Sequence, residues 1–222
     1  MNDIVIVVTG AAPLATCAID SIPTDSIVIA ADGALDHALA AGLTPAVLVG
    51  DLDSVSDAGL AWAESNASIE PHPTDKDHTD TELALVTAAD LNPRQLTLIS
   101  GGGDRLDHTF AAIGALGASS LTSIPEIDGW WGNHRLAVVH GPGRARLYVA
   151  TGTTISLLAL HGGCGGVSID GVRWPLERSD LASAVGLGVS NVATAETVDV
   201  SLTAGVLTIF INDHLDAPTE AT

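Results

Sequence analysis

The segment KDHTDTE, residues 76–82, is the densest group of ionisable side chains in the sequence, and it contains Lys76, the only lysine among 222 residues. Two more carboxylates, Asp51 and Asp53, stand two residues apart in the sequence GDLDS. Such carboxylates suit Mg²⁺, which binds a few protein oxygens together with water and substrate phosphates. A lysine beside them can contact a phosphate through its ammonium group. These residue types predict a site for a metal-bound polyphosphate.

The net charge of the chain makes a metal necessary for that chemistry. The sequence has 27 acidic and 8 basic residues, for a formal net charge of −19. This balance argues against nucleic acid and anionic membrane surfaces as partners, because both require clustered Lys and Arg. So few cations cannot neutralise a polyphosphate, and we therefore expect a divalent metal such as Mg²⁺ as cofactor.

A glycine-rich segment, SGGGDRLDH at residues 100–108, follows another apolar run. Its glycines let the backbone approach a ligand, and Arg105 can hold phosphate oxygens in a bidentate fork, with Asp107 two residues further on. The spacing fits neither the Walker A loop nor the dinucleotide-binding fingerprint. The alternative is a plain strand–helix turn in which Arg105 pairs with a neighbouring aspartate.

The pair Asp51 and Asp53 also has two interpretations. In an extended segment alternate residues face the same side, so both carboxylates could share one metal ion or bridge two. The alternative is a turn in which Asp53 and Ser54 cap the following helix.

The segment at residues 76–82 combines a structural signal with residues that the signal does not explain. Thr79 and Glu82 have the spacing of a capping box, which predicts the start of a helix. Lys76, Asp77 and Asp80 are left over, and the alternative for them is a solvated charge run. A carboxylate or a phosphate is favourable at the start of a helix, so this position also suits a phosphate ligand.

The elements that must position these residues alternate in type over the first ~120 residues. Apolar runs that end in Gly or Asp predict buried parallel strands, and helical patterns lie between them. The carboxyl ends of parallel strands face ligands, and Asp32, Asp51, Asp53 and Asp104 follow such runs. The predicted strands lie at residues 4–10, 26–33, 46–54 and 96–104, and the predicted helices at 34–42 and 80–91.

From about Arg135 the pattern changes to short alternating runs separated by Gly, Asn and Asp, which predict an antiparallel β-sandwich. We therefore expect an α/β domain over residues 1–125 and a sandwich domain over 133–215, with a frayed tail at 216–222. The N-terminus does not resemble a secretory signal and no run approaches the ~18 apolar residues of a membrane span, so a cytoplasmic location is predicted. Cys17 and Cys164 lack ligand spacing and are expected to be buried free thiols, with a disulfide as the alternative.

Four ordered blocks of the sequence resemble the thiamine pyrophosphokinase (thiamine diphosphokinase) family, and two further blocks extend the resemblance through the second half. Three positions depart from the family pattern: Ala34 and Asp36 replace a glycine and an asparagine, and Asp104 replaces a glycine. The blocks are ADGALDHAL (31–39), GDLDS (50–54), KDHTDTE (76–82), GDRLDH (103–108), GVRWPL (171–176) and GVSN (188–191).

The resemblance implies transfer of a diphosphoryl group from ATP to the hydroxyl of thiamine, with Mg²⁺, giving thiamine diphosphate and AMP. It implies that Asp51, Asp53 and Asp80 hold the metal in the first domain and act in catalysis with Arg105 and Asp107. The ATP contacts that it implies are Asp32, Lys76, Asp77, Thr79 and Arg105.

In the second domain the resemblance implies a thiamine site that contains Trp174, Ser190 and Asn191, completed by the partner chain of a homodimer. A tryptophan can stack on an aromatic ring or attract a cation. The alternatives are a core position for Trp174 and a plain turn for Ser190 and Asn191. Two other functions stay open, a diphosphokinase for another alcohol such as a hydroxymethyl pterin, and a non-catalytic thiamine- or nucleotide-binding protein.

Overall fold

The computed structural model describes residues 3–103, 105–183 and 185–212. Two expectations, the strand-end position of Asp104 and the frayed tail at 216–222, fall outside these residues. The chain divides into two compact units between Asn133 and His134. Residues 126–131, which lie beyond the predicted end of the first domain, form a strand of the first unit.

The first unit contains a sheet of six parallel strands in the order β6-β5-β1-β2-β3-β4. Its central strands are almost continuously buried, as the apolar runs predicted for a sheet covered on both faces. The predicted parallel sheet is confirmed. Its strands are β1 Ile4–Thr9, β2 Ile27–Ala31, β3 Val47–Gly50, β4 Ser68–Pro71, β5 Gln95–Ser100 and β6 Glu126–Trp131.

Among the described residues of the first unit, five α-helices connect these strands. The two predicted helices are confirmed as α2 and α4, and α2 ends at Ala40, two residues before Gly42, which has a φ of 78°. Three helices were not predicted. One of them begins after Ser56, whose hydroxyl accepts a hydrogen bond from the backbone of Gly59. The helices are α1 Thr16–Asp20, α2 Ala34–Ala40, α3 Asp57–Asn66, α4 Asp80–Asp90 and α5 Leu106–Ala115, and a 3₁₀ turn follows at Ser119–Leu121.

The described part of the second unit contains two four-stranded antiparallel groups, β12-β9-β14-β7 and β11-β10-β13-β8. Buried residues of both groups, including Leu157, Ile169, Val200 and Ile209, form one core. The predicted antiparallel sandwich is confirmed. The strands are β7 His134–His140, β8 Gly143–Tyr148, β9 Thr154–Leu158, β10 Cys164–Asp170, β11 Leu176–Leu181, β12 Asn191–Val192, β13 Thr197–Leu202 and β14 Val206–Asn212.

Both cysteine thiols are free, with Cys164 buried and Cys17 half-buried. The prediction of free thiols is therefore confirmed, and the expectation that both are buried is wrong for Cys17. In the part of the chain that the structure describes, none of the helices is long and apolar enough to cross a membrane.

Candidate active site

Asp32, Asp51 and Asp80 come together at the carboxyl ends of two neighbouring strands. Asp32 directly follows β2, Asp51 directly follows β3, and Asp80 is the first residue of α4. One carboxylate oxygen of each lies within 4.8 Å of the others. The parallel sheet therefore collects, at its ligand-binding edge, acids that are 19 and 29 residues apart in the chain.

Gly50 makes this convergence possible. It ends β3 with a φ of 147°, and a β-carbon added to it would lie 3.0 Å from both Cβ of Asp32 and Oδ1 of Asp80. A side chain at Gly50 would therefore require Asp32 or Asp80 to shift by a few tenths of an ångström. Asp32 itself has a φ of 45°, a left-handed conformation that Asp tolerates better than most residues.

Lys76 is paired with this group of acids. Its Nζ lies 2.9 Å from Oδ2 of Asp51 and 3.1 Å from Oδ1 of Asp80, and its side chain is only 13% exposed. The alternative of a solvated charge run is therefore wrong for Lys76, although Asp77 next to it is exposed. The predicted contacts of Lys76 and Asp77 with ATP stay predictions.

The pairing of Lys76 changes the acidity of both partners. The hydrogen bond from Lys76 lowers the pKa of Asp51 below its ordinary value. Burial lowers the pKa of Lys76, but its hydrogen bonds and charge interactions with Asp51 and Asp80 outweigh that effect, so the pKa of Lys76 is raised. Asp51 and Lys76 are thus held in their charged forms across the neutral pH range.

The pKa of Asp32 is shifted in the opposite direction from that of Asp51. Burial raises its pKa despite hydrogen bonds from Gly33 and Ser54, and the nearby charge of Asp80 raises it further. Among the described residues its Oδ1 is buried without a hydrogen-bond partner. A buried, unpartnered carboxylate oxygen next to two other carboxylates fits a divalent cation, which would supply the missing partner.

Asp53 does not join this group in the structure. Strand β3 ends at Gly50, and Leu52 has a φ of 66°, so the expectation of an extended segment with both aspartates on one side is wrong. The Asp53 carboxylate is exposed and accepts a hydrogen bond from Ser54 Oγ at 2.9 Å. The alternative of an Asp53–Ser54 helix cap is also wrong, because Ser56 caps α3. The role of Asp53 as a metal ligand stays a prediction.

The capping box that starts α4 is confirmed. The Thr79 hydroxyl accepts a hydrogen bond from the Glu82 backbone at 3.2 Å, and the Glu82 carboxylate accepts one from the Thr79 backbone at 2.8 Å. This box fixes the first turn of α4 and with it the position of Asp80. The contact of Thr79 with ATP remains a prediction.

Arg105 and Asp107 form an exposed ion pair at the start of α5. Nη2 of Arg105 donates to Oδ2 of Asp107 at 2.6 Å, and Nε donates to Oδ1 at 3.3 Å. These hydrogen bonds lower the pKa of Asp107 to about 2. A carboxylate that is so weakly basic is a poor general base, so Asp107 is better suited to orienting Arg105. The structure thus contains the Arg–Asp pair of the alternative interpretation, and the catalytic roles of both residues stay predictions.

One departure from the family pattern has a structural role. The Asp36 carboxylate accepts hydrogen bonds from the backbone and hydroxyl of Ser56, at 2.8 and 2.7 Å. Since Ser56 caps α3, Asp36 links α2 to the start of α3. The departure at Asp36 therefore concerns the packing of these helices.

In the second unit, Trp174 and Asn191 lie together. Trp174 is 55% exposed, so the alternative of a core position is wrong. The buried side chain of Asn191 accepts from the Trp174 backbone N–H at 3.0 Å and donates to its carbonyl at 2.6 Å. Asn191 thereby fixes the backbone of Trp174, a role that the sequence motif did not predict.

The surroundings of Trp174 suit a flat ligand with a positive charge. The guanidinium carbon of Arg173 lies 4.9 Å from the centre of the Trp174 ring, so one cation of the protein already lies over this ring. Ser190 is exposed with a φ of 60°, and its backbone N–H donates to Ser156 Oγ at 3.0 Å. Ser190 lies in a turn, as the alternative interpretation had it, whereas Asn191 begins β12.

Comparison with protein families matches both units separately. Residues 20–125 match the family model "Thiamin pyrophosphokinase, catalytic domain", and residues 134–207 match "Thiamin pyrophosphokinase, vitamin B1 binding domain". Comparison with curated protein sequences gives no match.

Several solved structures have the same fold. The thiamine pyrophosphokinase of Bacillus subtilis is 20% identical, with a TM-score of 0.81 over 96% of this chain and 100% of that one. The protein from Geobacillus thermodenitrificans is 22% identical, with a TM-score of 0.77 over 99% of both chains. The yeast enzyme is 14% identical, with a TM-score of 0.71 over 95% of this chain and 86% of its own.

The first unit is a parallel α/β unit with an acidic edge, and the second is an antiparallel sandwich. Together with the two matched domains, these features define a transferase of the kinase type. The chain belongs to the thiamin pyrophosphokinase family. It is accordingly a thiamine diphosphokinase in class.

Proposed function

We propose that the protein transfers the diphosphoryl group of ATP to the hydroxyl of thiamine. In this reaction the thiamine oxygen forms a bond to the β-phosphorus of ATP, and the bond from that phosphorus to the oxygen bridging it to the α-phosphate breaks. AMP leaves with the bridging oxygen, and the proton of the hydroxyl is released. The observation that supports the proposal is the convergence of Asp32, Asp51, Asp80 and Lys76 at the strand ends of the matched catalytic domain.

The acidic group would hold Mg²⁺ through Asp51 and Asp80, as the sequence predicts, and through Asp32, which the structure adds. Asp53, on the same loop, remains a predicted further ligand. When bound, the metal neutralises phosphate charge and orients the transferred group. These carboxylates cannot bind ATP phosphates directly, because like charges repel.

The basic residues of the site would contact the phosphates. Arg105 presents a planar fork that suits phosphate oxygens, and Asp107 holds that fork in one orientation. Lys76 is proposed as a further phosphate contact, and Thr79 and the acidic Asp77 are proposed as further ATP contacts. Because phosphoryl transfer depends mostly on position and charge, the main work of these residues is to fix the diphosphoryl group in line with the acceptor.

The acceptor would bind in the second unit. The exposed face of Trp174 suits stacking on a ring of thiamine, whose thiazolium is a cation. Ser190 supplies a hydroxyl, and Asn191 contributes by fixing the Trp174 backbone. We propose a homodimer whose two sites each combine the acids of one chain with Trp174 and Ser190 of its partner, and a cytoplasmic location.

An assay for AMP tests the reaction and separates it from the alternatives. The protein is incubated with ATP, Mg²⁺ and either thiamine, a hydroxymethyl pterin or no acceptor, and AMP is measured by liquid chromatography. AMP formed in proportion to thiamine diphosphate, with thiamine alone as acceptor, is expected. AMP formed only with the pterin would indicate another diphosphokinase, and thiamine binding without AMP would indicate a binding protein.

A mixing experiment tests the shared sites. Chains with Asp51→Asn and chains with Trp174→Ala, each impaired alone at low thiamine, are allowed to exchange. One composite site in each mixed dimer carries no mutation, so activity should return to about half of the sites in those dimers. Chains that exchange without recovering activity would exclude shared sites.

A further inference from the structure

Lys76 contacts one carboxylate oxygen on each of two acids in the group that could hold a divalent metal. Its ammonium lies within 3.1 Å of both Asp51 Oδ2 and Asp80 Oδ1. All three side chains are largely withdrawn from water, at 13%, 10% and 24% exposure for Lys76, Asp51 and Asp80. The lysine is therefore the cation that compensates these acids within the protein itself.

A metal bound to the same two oxygens would lie within a few ångström of the Lys76 ammonium. Two positive charges at that separation repel each other strongly in a partly buried site. Each carboxylate oxygen also has a limited number of lone pairs to share between them. Lys76 and the metal consequently compete for Asp51 and Asp80.

When a polyphosphate is present, a phosphate oxygen is an alternative anionic partner for the Lys76 ammonium. It precedes α4, outside any helix or strand, and its ammonium is carried on a flexible four-carbon chain. The capping box holds Thr79 at the start of α4, so residues 76–78 and the Lys76 side chain can change conformation without disturbing the helix. A phosphate oxygen would give the ammonium a new anionic partner as the metal takes the carboxylates.

We propose that Lys76 is an internal counter-ion which competes with the divalent metal for Asp51 and Asp80 and is released to the nucleotide phosphates. The inference rests on the proposed function, because it assumes that the metal arrives with ATP. It predicts that the metal alone binds weakly and that the metal–nucleotide complex binds well. Binding of one then favours binding of the other, which is a positive coupling between the two ligands.

Direct binding measurements test this coupling without any turnover. Binding of Mn²⁺ alone is followed by the paramagnetic resonance signal of the free ion, and binding of the Mn²⁺ complex of an α,β-methylene ATP analogue by calorimetry. In Lys76→Met, Mn²⁺ alone should bind at least about tenfold more tightly than in the wild type, because the competitor is gone. The analogue complex should bind at least about threefold more weakly, because a phosphate contact is lost.

Each other result contradicts the proposal in a distinct way. If Lys76→Met leaves binding of Mn²⁺ alone unchanged or weakens it, Lys76 does not compete with the metal. If the variant binds both Mn²⁺ and the analogue complex more tightly, Lys76 competes but is not released to the phosphates. Arg146→Met is the matched control, since it removes a cation paired with Asp199 in the second unit, and it should bind like the wild type.

Two further variants guard against ambiguous results. Lys76→Gln removes the charge but keeps a hydrogen-bond donor for the carboxylates, so it should fold if Lys76→Met does not. Mn²⁺ should raise the melting temperature of Lys76→Gln more than that of the wild type.

Asp51→Asn tests the metal site itself. If that variant binds the Mn²⁺ analogue complex as well as the wild type, the proposed metal site fails. If Asp51→Asn weakens binding of the Mn²⁺ analogue complex, the metal site stands. Unexpected results with the Lys76 variants then contradict only the counter-ion role of Lys76.

Discussion

Gly50 lies so close to Asp80 that a β-carbon at Gly50 would meet Oδ1 of Asp80 at 3.0 Å. The absence of a β-carbon at Gly50 leaves room where the end of a strand meets the start of a helix, and carboxylates from separate elements share this small space. The glycine is therefore part of the candidate metal site although it has no functional group.

Gly50→Ala should weaken metal binding as well as stability. The added methyl group displaces Asp32 and Asp80, and the φ of 147° is unfavourable for alanine. We expect the Mg²⁺ concentration for half-maximal activity to rise about tenfold and the free energy of unfolding to fall by about 1–2 kcal/mol. Gly42→Ala is the control, because Gly42 has a φ of 78° but open space around its α-carbon. Equal Mg²⁺ responses in the two variants would contradict this role of Gly50.

Asp32→Asn should stabilise the metal-free protein and abolish its stabilisation by Mg²⁺. The pKa of Asp32 is raised above 3.8, so its ionised form is unfavourable in the fold at neutral pH. The gain in unfolding free energy should be on the order of 1 kcal/mol, or about 2–4 °C in melting temperature.

The gain from Asp32→Asn should also depend on pH. As pH falls through the raised pKa, folded Asp32 takes up a proton that the unfolded chain does not yet bind, so the wild type becomes relatively more stable. The advantage of the variant is therefore greatest at neutral pH and decreases toward pH 3.8. Melting curves with and without Mg²⁺ measure this, with the exposed Asp25→Asn as control. A variant less stable than the wild type in chelator at pH 7 would contradict the prediction.

Asp51→Asn should reduce turnover by about 10²–10³-fold while the protein stays folded, because a metal–phosphate site loses several kcal/mol with one ligand charge. The position of Asp53 outside the acidic group makes Asp53→Asn an informative comparison. A similar loss would establish Asp53 as a ligand in the loaded enzyme. Asp51→Asn activity within about twofold of the wild type would contradict the proposed site.

Arg105→Lys should lower turnover at least about tenfold with little change in the Michaelis constant for thiamine. Lysine keeps the positive charge but cannot form the two-pronged contact that Arg105 makes with Asp107. Steady-state kinetics with ATP and thiamine measure the effect. Arg94→Lys, in the exposed pair with Glu126, is the control. Full activity in Arg105→Lys would show that the fork is not needed.

Trp174→Ala should raise the Michaelis constant for thiamine at least about tenfold and hardly change stability, because the ring is 55% exposed. Asn191→Ala should have the same kinetic effect and also lower the free energy of unfolding by about 1 kcal/mol, since it leaves partly buried backbone groups of Trp174 unpaired. The 71% exposed Tyr148 gives the control Tyr148→Ala. A stable, kinetically normal Asn191→Ala would contradict the positioning role.

The sequence was sufficient to predict the two domain types and the capping box, because both depend on local patterns. Alternating apolar runs identify strands, and the spacing of Thr79 and Glu82 identifies the start of α4. The acidic group could be predicted only in part. Asp32 and Asp80 come together only when β2, β3 and α4 pack in the fold. Nothing in the sequence reveals the left-handed conformation of Leu52, which separates Asp53 from Asp51.

Contacts between residues that are distant in the chain explain two further differences between the sequence-based predictions and the structure. Lys76 was expected as a phosphate contact, and its pairing with Asp51, 25 residues away, depends on the packing of β3 against α4. The use of Asn191 to hold Trp174 likewise depends on two segments that meet only in the folded sandwich. Strand β11, Leu176–Leu181, was not predicted because its sequence LERSDL is mostly polar and exposed.

Lys76 carries the only side-chain amine in the chain, so acylation of a lysine reports on this site alone. Acylating reagents react with the neutral amine, and pairing with Asp51 and Asp80 keeps Lys76 protonated and shielded. The rate at which one acyl group is added at Lys76 therefore reports whether that amine is paired or released. Mass spectrometry of the peptide that contains Lys76 can follow this rate without mutation or cofactor analogue, and it separates acylation of Lys76 from acylation of the α-amino group, whose lower pKa makes it reactive as well.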